Sequence, residues 1–232
     1  VKSEYIPYIY SDEEIRKIMH YADNLIIREQ KYHATSFQLK VPMVIRILYG
    51  CGTRLGETLS LRRKDVDFKS GTIFLKKTKF SKERVIPIHE SLLVILERYC
   101  LTLGILHNPE AFLFPGKNPE HHYTTRQMAS WFSEILRRAD IDQREKGPHE
   151  IGACLHCFRH LFVLKSMQQL EAAGRPVDMN DLLLPTYLGH DRLIDTDQYM
   201  RFSGLQVPEA MDAFETFTTG LIPHVEVPYE EE

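Results

Sequence analysis

Six basic or phenolic side chains, spread from the first quarter of the chain to its last, could together break a phosphodiester bond. They are Arg54, Lys79, His156, Arg159, His190 and Tyr199. Guanidinium groups bind phosphate in a bidentate fork and stabilise the negative charge that builds on its non-bridging oxygens during attack. Arg54 and Arg159 are the candidates for this role, and His190 could donate a further hydrogen bond.

The same chemistry needs a nucleophile, a base and an acid. A tyrosine hydroxyl has a pKa near 10, so using Tyr199 at pH 7 costs about 4 kcal/mol unless a base removes its proton. His156 is the candidate base. The departing 5′ alcohol is a poor leaving group as an alkoxide, and Lys79 could supply its proton. Because these groups cover both charge stabilisation and proton transfer, we expect no metal ion and no cofactor to be required.

The stretch Cys154-Leu-His-Cys-Phe-Arg-His160 also allows two other interpretations. A C-x-x-C pair with a nearby imidazole can bind zinc, and two such thiols can form a redox pair. On a helix, however, Cys154, Cys157 and His160 lie near the side that Leu161 and Leu164 share, which favours burial in the core. We expect the cysteines to be reduced and mostly buried: Cys51, Cys100, Cys154 and Cys157.

The elements that carry these residues are predicted to be mainly helical. Ser11 and Glu14 form a capping box for a first helix, which is predicted to run to about Glu29. A second helix covers about 36–49 and ends at the Gly50-Cys51-Gly52 break. Further helical patterns occupy 90–100, 124–140 and 155–174, and shorter ones lie near 179–188, 192–201 and 208–217.

Two short elements are predicted to position Arg54 and Lys79. Thr53 is expected to cap a short helix that carries Arg54, Glu57 and Leu61. The apolar period then changes to two in VDF, TIFLKK and ERVIPIH, which predicts a three-stranded antiparallel meander with Lys79 in or beside its second turn. The predicted fold class is therefore mainly α with a small three-stranded antiparallel β-sheet.

Charge is distributed unevenly along the chain, although the net charge is only −3. The segment 53–91 contains ten basic and five acidic residues, whereas the segment from Leu205 onward contains seven acidic residues and no lysine or arginine. A basic surface of this kind favours a polyanionic partner. The candidate DNA contacts are Arg62, Arg63, Lys76, Lys77, Lys82 and Arg84.

The order and spacing of the candidate residues resemble the catalytic domain of the tyrosine recombinases, the family of the phage integrases. The resemblance runs from about Ser11 to Tyr199. It rests on Gly-Thr-Arg54-Leu-Gly-Glu57, the hairpin KFSKERVIPI, His156-x-x-Arg159, Leu188-Gly189-His190 and Tyr199 nine residues later. The family pattern makes Lys79 the catalytic lysine, with Lys82 as the second choice, and makes Glu57 a carboxylate that orients the basic groups.

This resemblance implies the fold of DNA breaking and rejoining enzymes and a site-specific recombinase that works through a covalent 3′-phosphotyrosyl intermediate. It implies double-stranded DNA as the partner, and self-association into a tetramer on DNA through the C-terminal segment. With no apolar run of about 18 residues and no secretory signal, we expect a cytoplasmic protein without a membrane segment.

The resemblance also implies how the chain is divided. We expect a single catalytic domain over 1–232, with a core at about 11–201 and a C-terminal helix and acidic tail at 202–232. Family members carry a separate N-terminal DNA-binding domain, which this chain lacks, so it is expected to be part of a larger protein.

Two alternatives remain open at this point. A type IB topoisomerase uses similar residues, but the spacing from Leu-Gly-His190 to Tyr199 and the small size favour a recombinase. A non-catalytic DNA-binding regulator derived from a recombinase would be expected to have lost a catalytic residue, and each has a counterpart here.

Overall fold

The computed structural model describes residues 7–25, 34–76, 83–142, 152–172 and 174. Within these ranges the chain forms helices and one small sheet, in the order α1 (Asp12–Asp23), α2 (Ala34–Cys51), α3 (Leu55–Leu59), a 3₁₀ turn (Arg63–Asp65), β1 (Val66–Asp67), β2 (Thr72–Leu75), β3 (Arg84–Pro87), α4 (Glu90–Thr102), α5 (Thr125–Ala139) and α6 (Cys157–Ala172). The predicted fold class is confirmed. The helices predicted beyond residue 174 lie outside the described residues.

Helix α1 begins as predicted and ends earlier than predicted. Ser11 Oγ accepts a hydrogen bond from the Glu14 N–H at 3.2 Å, and Glu14 Oε2 accepts one from the Ser11 N–H at 2.8 Å, which completes the capping box. The helix stops at Asp23 rather than near Glu29. Asn24 caps the helix there: its side-chain amide donates to the carbonyl of His20 at 2.8 Å, and its backbone N–H donates to the same carbonyl at 3.1 Å.

Helix α2 is the central element of the helical part. It packs against α1, α4 and α6. Its buried side chains include Val41, Val44, Ile45 and Leu48, so apolar residues cover more than one face, as a helix with neighbours on several sides requires.

The sheet is a meander in which β2 pairs antiparallel with both β1 and β3. The register aligns Ile73 with Ile86 and Phe74 with Val85. Since alternate side chains of a strand point to opposite faces, Ile73 and Ile86 enter the core, whereas Phe74 and Val85 remain exposed.

An aromatic cluster joins the N-terminal segment to α5 and α6. The ring of Tyr10 lies 6.5 Å from that of Phe132 and 5.1 Å from that of Phe158, and these two rings are 5.7 Å apart. Such pairs contribute about 0.5–1.5 kcal/mol each beyond the area they bury. The Tyr10 hydroxyl also donates to the carbonyl of Cys154 at 3.0 Å, which fixes the segment just before α6.

None of the helices in the described ranges is both long and apolar enough to cross a membrane.

Candidate active site

The turn between α2 and α3 brings two arginines from distant parts of the sequence together. Gly52 adopts φ +57°, a left-handed conformation that favours glycine, and a Cβ at this position would lie 2.4 Å from the ring of Phe162 in α6. This close approach lets the Gly52 carbonyl accept a hydrogen bond from Arg159 Nη1 at 2.9 Å. Arg159 is only 2% exposed, and it is thereby held to a residue that lies two positions before Arg54 in the chain.

Arg54 occupies the N-cap position of α3. Thr53 was predicted as the cap, and this prediction was wrong: Thr53 Oγ1 instead contacts Thr58 Oγ1 at 2.7 Å. The helix begins one residue later because the carboxylate of Glu57 reaches back to the Arg54 N–H at 2.9 Å and so satisfies a free backbone donor. Leu61, which was predicted to lie in this helix, follows its end at Leu59.

The side chains of Arg54 and Glu57 form an ion pair, with Arg54 Nη1 3.1 Å from Glu57 Oε1. The carboxylate of Glu57 is almost fully buried, whereas 29% of the Arg54 side chain is exposed. Across the described part of the chain, Nη1 is the one guanidinium nitrogen of Arg54 that has an acceptor. Because part of the side chain is exposed, a substrate anion can approach Arg54 from solvent.

Arg84 is the second arginine bound to Glu57. It begins β3, and its Nη1 and Nη2 donate to Glu57 Oε1 at 3.1 Å and Oε2 at 2.9 Å. Its side chain is 9% exposed, so in this structure it contacts a buried carboxylate. The prediction that Arg84 contacts DNA stays a prediction, and its contact with Glu57 was not anticipated from the sequence.

His156 lies in the turn that leads into α6. The backbone N–H groups of residues 157–159 each donate to the carbonyl three residues earlier, at 3.0–3.4 Å. The N–H of Arg159 thus binds the carbonyl of His156, and the two residues lie one turn apart. The His156 side chain is exposed, and its ring packs edge-on against His160 at 4.7 Å between centroids.

The surroundings of His156 favour its neutral form. Partial removal of water from the ring, then the positive charges of Arg159 and Arg54, hold its pKa below the ordinary value. Because the side chain keeps an exposed surface, this desolvation reflects crowding by neighbouring atoms rather than enclosure.

An open cleft of about 380 Å³ borders His156. It lies between the start of α3, one face of α5 and the segment before α6. The lining residues include Leu55, Arg126, Ser133 and Cys154. His156 therefore faces space that a ligand can enter.

The predicted DNA contacts near the sheet form pairs within the protein. The Arg62 guanidinium lies 4.1 Å from the centre of the Phe112 ring, and that of Arg63 lies 4.6 Å from the centre of the Phe68 ring. Lys76 pairs with a carboxylate of the neighbouring 3₁₀ turn at 2.8 Å, yet 45% of its side chain is exposed. A role in DNA binding stays a prediction for these residues.

The four cysteines are free thiols, as predicted. Cys51, Cys100 and Cys157 are buried and Cys154 is half-buried. The sulfur atoms of Cys154 and Cys157 lie 3.5 Å apart. Within the described ranges no three histidine, cysteine or acidic side chains converge as metal ligands would.

Several predicted site residues lie outside the described part of the chain: Lys77, Lys79, Lys82, His190 and Tyr199. Their assignments stay predictions. Another tyrosine, Tyr123, lies in the described part of the chain: its ring packs 4.8 Å from that of Trp131, and burial raises its pKa. Both features make Tyr123 a poor nucleophile.

Comparison with known proteins gives this arrangement a context. A model described as the phage integrase family matches residues 9–203. The putative integrase/recombinase y4rB of Sinorhizobium fredii is 26% identical over 228 residues, covering 90% of this chain and 66% of the relative. The tyrosine recombinase XerA of Pyrococcus horikoshii is 24% identical over 207 residues, covering 89% of this chain and 61% of the relative.

The fold also matches a solved structure. The XerH site-specific recombinase bound to palindromic difH substrate, in a post-cleavage complex, aligns with a TM-score of 0.63 at 21% identity over 90% of this chain and 54% of that chain. This likeness shows a shared fold. The first three curated relatives are covered over 66%, 51% and 49% of their lengths, so the chain spans about half to two thirds of each. Since the family model accounts for most of the chain, the chain belongs to the phage integrase family.

Proposed function

We propose that this protein is a site-specific DNA recombinase that cleaves and rejoins DNA strands through a covalent 3′-phosphotyrosyl intermediate, with Tyr199 as the nucleophile. The observation that carries the proposal is the 2.9 Å hydrogen bond from Arg159 to the Gly52 carbonyl. It joins two segments 107 residues apart and so supports a shared phosphate-binding role for Arg54 and Arg159. Membership in the phage integrase family supports the same reaction.

Charge stabilisation is assigned to the two arginines. Attack on the scissile phosphate makes a five-coordinate transition state with more negative charge on the non-bridging oxygens than the ground state has. Arg54 has donors that remain available on its exposed side, and Arg159 is oriented by the Gly52 carbonyl. His190 is proposed to donate a further hydrogen bond to the same oxygens.

Proton transfer is assigned to His156 and Lys79. A histidine whose pKa is held below its ordinary value is neutral at pH 7, so it can accept the proton of the Tyr199 hydroxyl as the new phosphate ester forms. Lys79 protonates the 5′ oxygen as its bond to phosphorus breaks. The reverse sequence, with a 5′ hydroxyl attacking the phosphotyrosine, rejoins the strand.

Double-stranded DNA is the proposed partner, contacted through the basic segment around the sheet. Lys76, with nearly half of its side chain exposed, is the described member of that set most accessible to a phosphate. Self-association on DNA through the segment 202–232 is proposed from the family resemblance.

The test is to trap the covalent intermediate. The purified protein is incubated with duplexes taken from the sequence around its gene, each carrying a nick that lets the cleaved 5′ end diffuse away. We expect a protein–DNA adduct that, after nuclease digestion and mass spectrometry, retains a nucleotide on Tyr199. Tyr199→Phe should abolish the adduct and leave DNA binding nearly intact, whereas the matched control Tyr123→Phe should form it. A nucleotide on any other residue would refute the nucleophile assignment.

A second assay separates strand exchange from topoisomerase action. Relaxation of supercoiled plasmids lacking the recombination site, without joining of strands from two duplexes, would favour a type IB topoisomerase. Binding without any adduct would favour a non-catalytic regulator.

A further inference from the structure

The carboxylate of Glu57 joins the site to the sheet. Among the described residues, two arginines donate to it: Oε1 accepts from Arg54 Nη1 and Arg84 Nη1, both at 3.1 Å, and Oε2 accepts from the Arg54 N–H and Arg84 Nη2, both at 2.9 Å. Arg84 binds in a bidentate fork, whereas the side chain of Arg54 supplies one contact. Glu57 therefore forms its stronger side-chain interaction with Arg84.

We infer that Arg84 is a positioning residue for strand cleavage: it neutralises Glu57, so that the guanidinium of Arg54 keeps its charge and its free donors for the scissile phosphate. The inference rests on the proposed function. Glu57 is almost fully buried and Arg84 is 9% exposed, so their attraction is weakly screened by solvent. Without Arg84, a buried carboxylate would lie beside Arg54 with less compensation and would compete with the substrate for it.

The fold gives this contact a second consequence. Glu57 and Arg54 belong to α3 and its cap, while Arg84 belongs to β3. The ion pair therefore fixes the start of β3, which follows Lys79 closely in the chain, to the helix that carries Arg54. Through its contacts with both arginines, Glu57 thus couples the position of β3 to that of Arg54.

The primary test is a cycle of substitutions read out as the first-order rate of adduct formation. Hydrogen-bond partners that orient a functional ligand contribute about 10- to 100-fold, as measured at metal sites, and we expect a loss of this order for Arg84→Gln. Arg84→Lys keeps the charge and loses the fork, so it should fall between this variant and the wild type. Because Arg84 acts through the charge of Glu57, adding Arg84→Gln to Glu57→Gln should cost little more than Glu57→Gln alone.

A neutral linkage distinguishes this role from general destabilisation. A methylphosphonate at the scissile position removes one charged oxygen, so the rate defect of Arg84→Gln should shrink several-fold on this substrate. A defect of equal size on both linkages, or losses that multiply in the Glu57 and Arg84 double variant, would overturn the inference. Arg46→Gln is the matched control, because Arg46 binds Asp23 in a similar bidentate pair near the surface at 2.8 and 2.9 Å. It should cleave at the wild-type rate.

Inorganic sulfate separates failure of this inference from failure of the proposed function. Sulfate should raise the unfolding temperature of the wild type and of Arg46→Gln by binding the two active-site arginines. In Arg84→Gln the dissociation constant for sulfate should be at least several-fold larger. If no adduct forms but this difference persists, the recombinase proposal fails, whereas the part of the inference that concerns anion binding by Arg54 stands. If adducts form and Arg84→Gln matches the wild type in both assays, the role of Arg84 is refuted alone.

Discussion

Replacement of Gly52 by alanine tests the turn that brings the segments of two candidate active-site arginines, Arg54 and Arg159, together. The left-handed conformation costs a non-glycine residue about 1–2 kcal/mol. The new methyl carbon would also lie 2.4 Å from Phe162 Cδ1 and 2.7 Å from its Cγ, well inside contact distance, so the ring must move. Forcing an extra carbon into a packed site costs about 1–3 kcal/mol. We therefore expect Gly52→Ala to lower the free energy of unfolding by about 2–5 kcal/mol.

Gly104 provides the control that separates these two contributions. It has φ +69°, and a methyl carbon added there would meet no atom within 4 Å, so Gly104→Ala carries the backbone cost alone, about 1–2 kcal/mol. Urea unfolding of both variants measures the difference. Gly52→Ala should also slow adduct formation, because displacement of the α6 ring shifts the Arg159 contact, and Gly104→Ala should not. If the two variants lost equal stability, within about 0.5 kcal/mol, the added methyl group at position 52 would have no steric cost, and the argument from the close approach of Gly52 to α6 would be refuted.

Three further predictions concern the chemistry of the site. Arg54→Ala and Arg159→Ala should each lower kcat/KM for cleavage, as measured by single-turnover adduct formation. The corresponding loss of transition-state stabilisation should be several kcal/mol, since a single lost donor already costs about 3 kcal/mol. The lowered pKa of His156 means that the folded state favours the neutral ring. This contribution to stability is present above the pKa of His156 in the unfolded chain and is lost as the pH falls through its pKa in the folded protein. The free energy of unfolding should therefore decrease less between about pH 7.5 and about pH 5 for His156→Gln than for the wild type. The acid limb of the cleavage rate should accordingly lie below the ordinary histidine pKa. Prior dialysis against EDTA should leave the cleavage rate unchanged, and loss of activity that zinc or magnesium restores would contradict the proposed chemistry.

Much of the fold could be predicted because its signals are local. The Ser11 and Glu14 capping box and the change of period to two before the sheet depend on residues a few positions apart. Two of the boundary errors have side-chain causes. Asn24 closes α1 early, and Glu57 moves the start of α3 by reaching back to the backbone of its cap.

The site was predicted less completely, because part of it depends on contacts between distant segments. His156 and Arg159 were proposed from their spacing, and Arg54 from its place after a glycine turn; their catalytic roles stay predictions. The partnership of Arg84 with Glu57 could not be found this way, since it requires the side chains of β3 and α3 to meet across 27 residues. A signal was nevertheless present in the sequence. Arg84 lies two residues before the apolar Ile86 in a predicted strand, so both point to the core face, where an arginine needs a carboxylate partner.

The long separations within the site have a consequence for folding. The hydrogen bond from Tyr10 to Cys154 spans 144 residues, and that from Arg159 to Gly52 spans 107. Contacts between such distant positions require large loop closures, which slow the folding step that forms them. A chain still emerging from the ribosome presents Arg54 long before Arg159 has been synthesised. The contact between the Gly52 turn beside Arg54 and the guanidinium of Arg159 therefore forms only after the chain has been synthesised past Arg159.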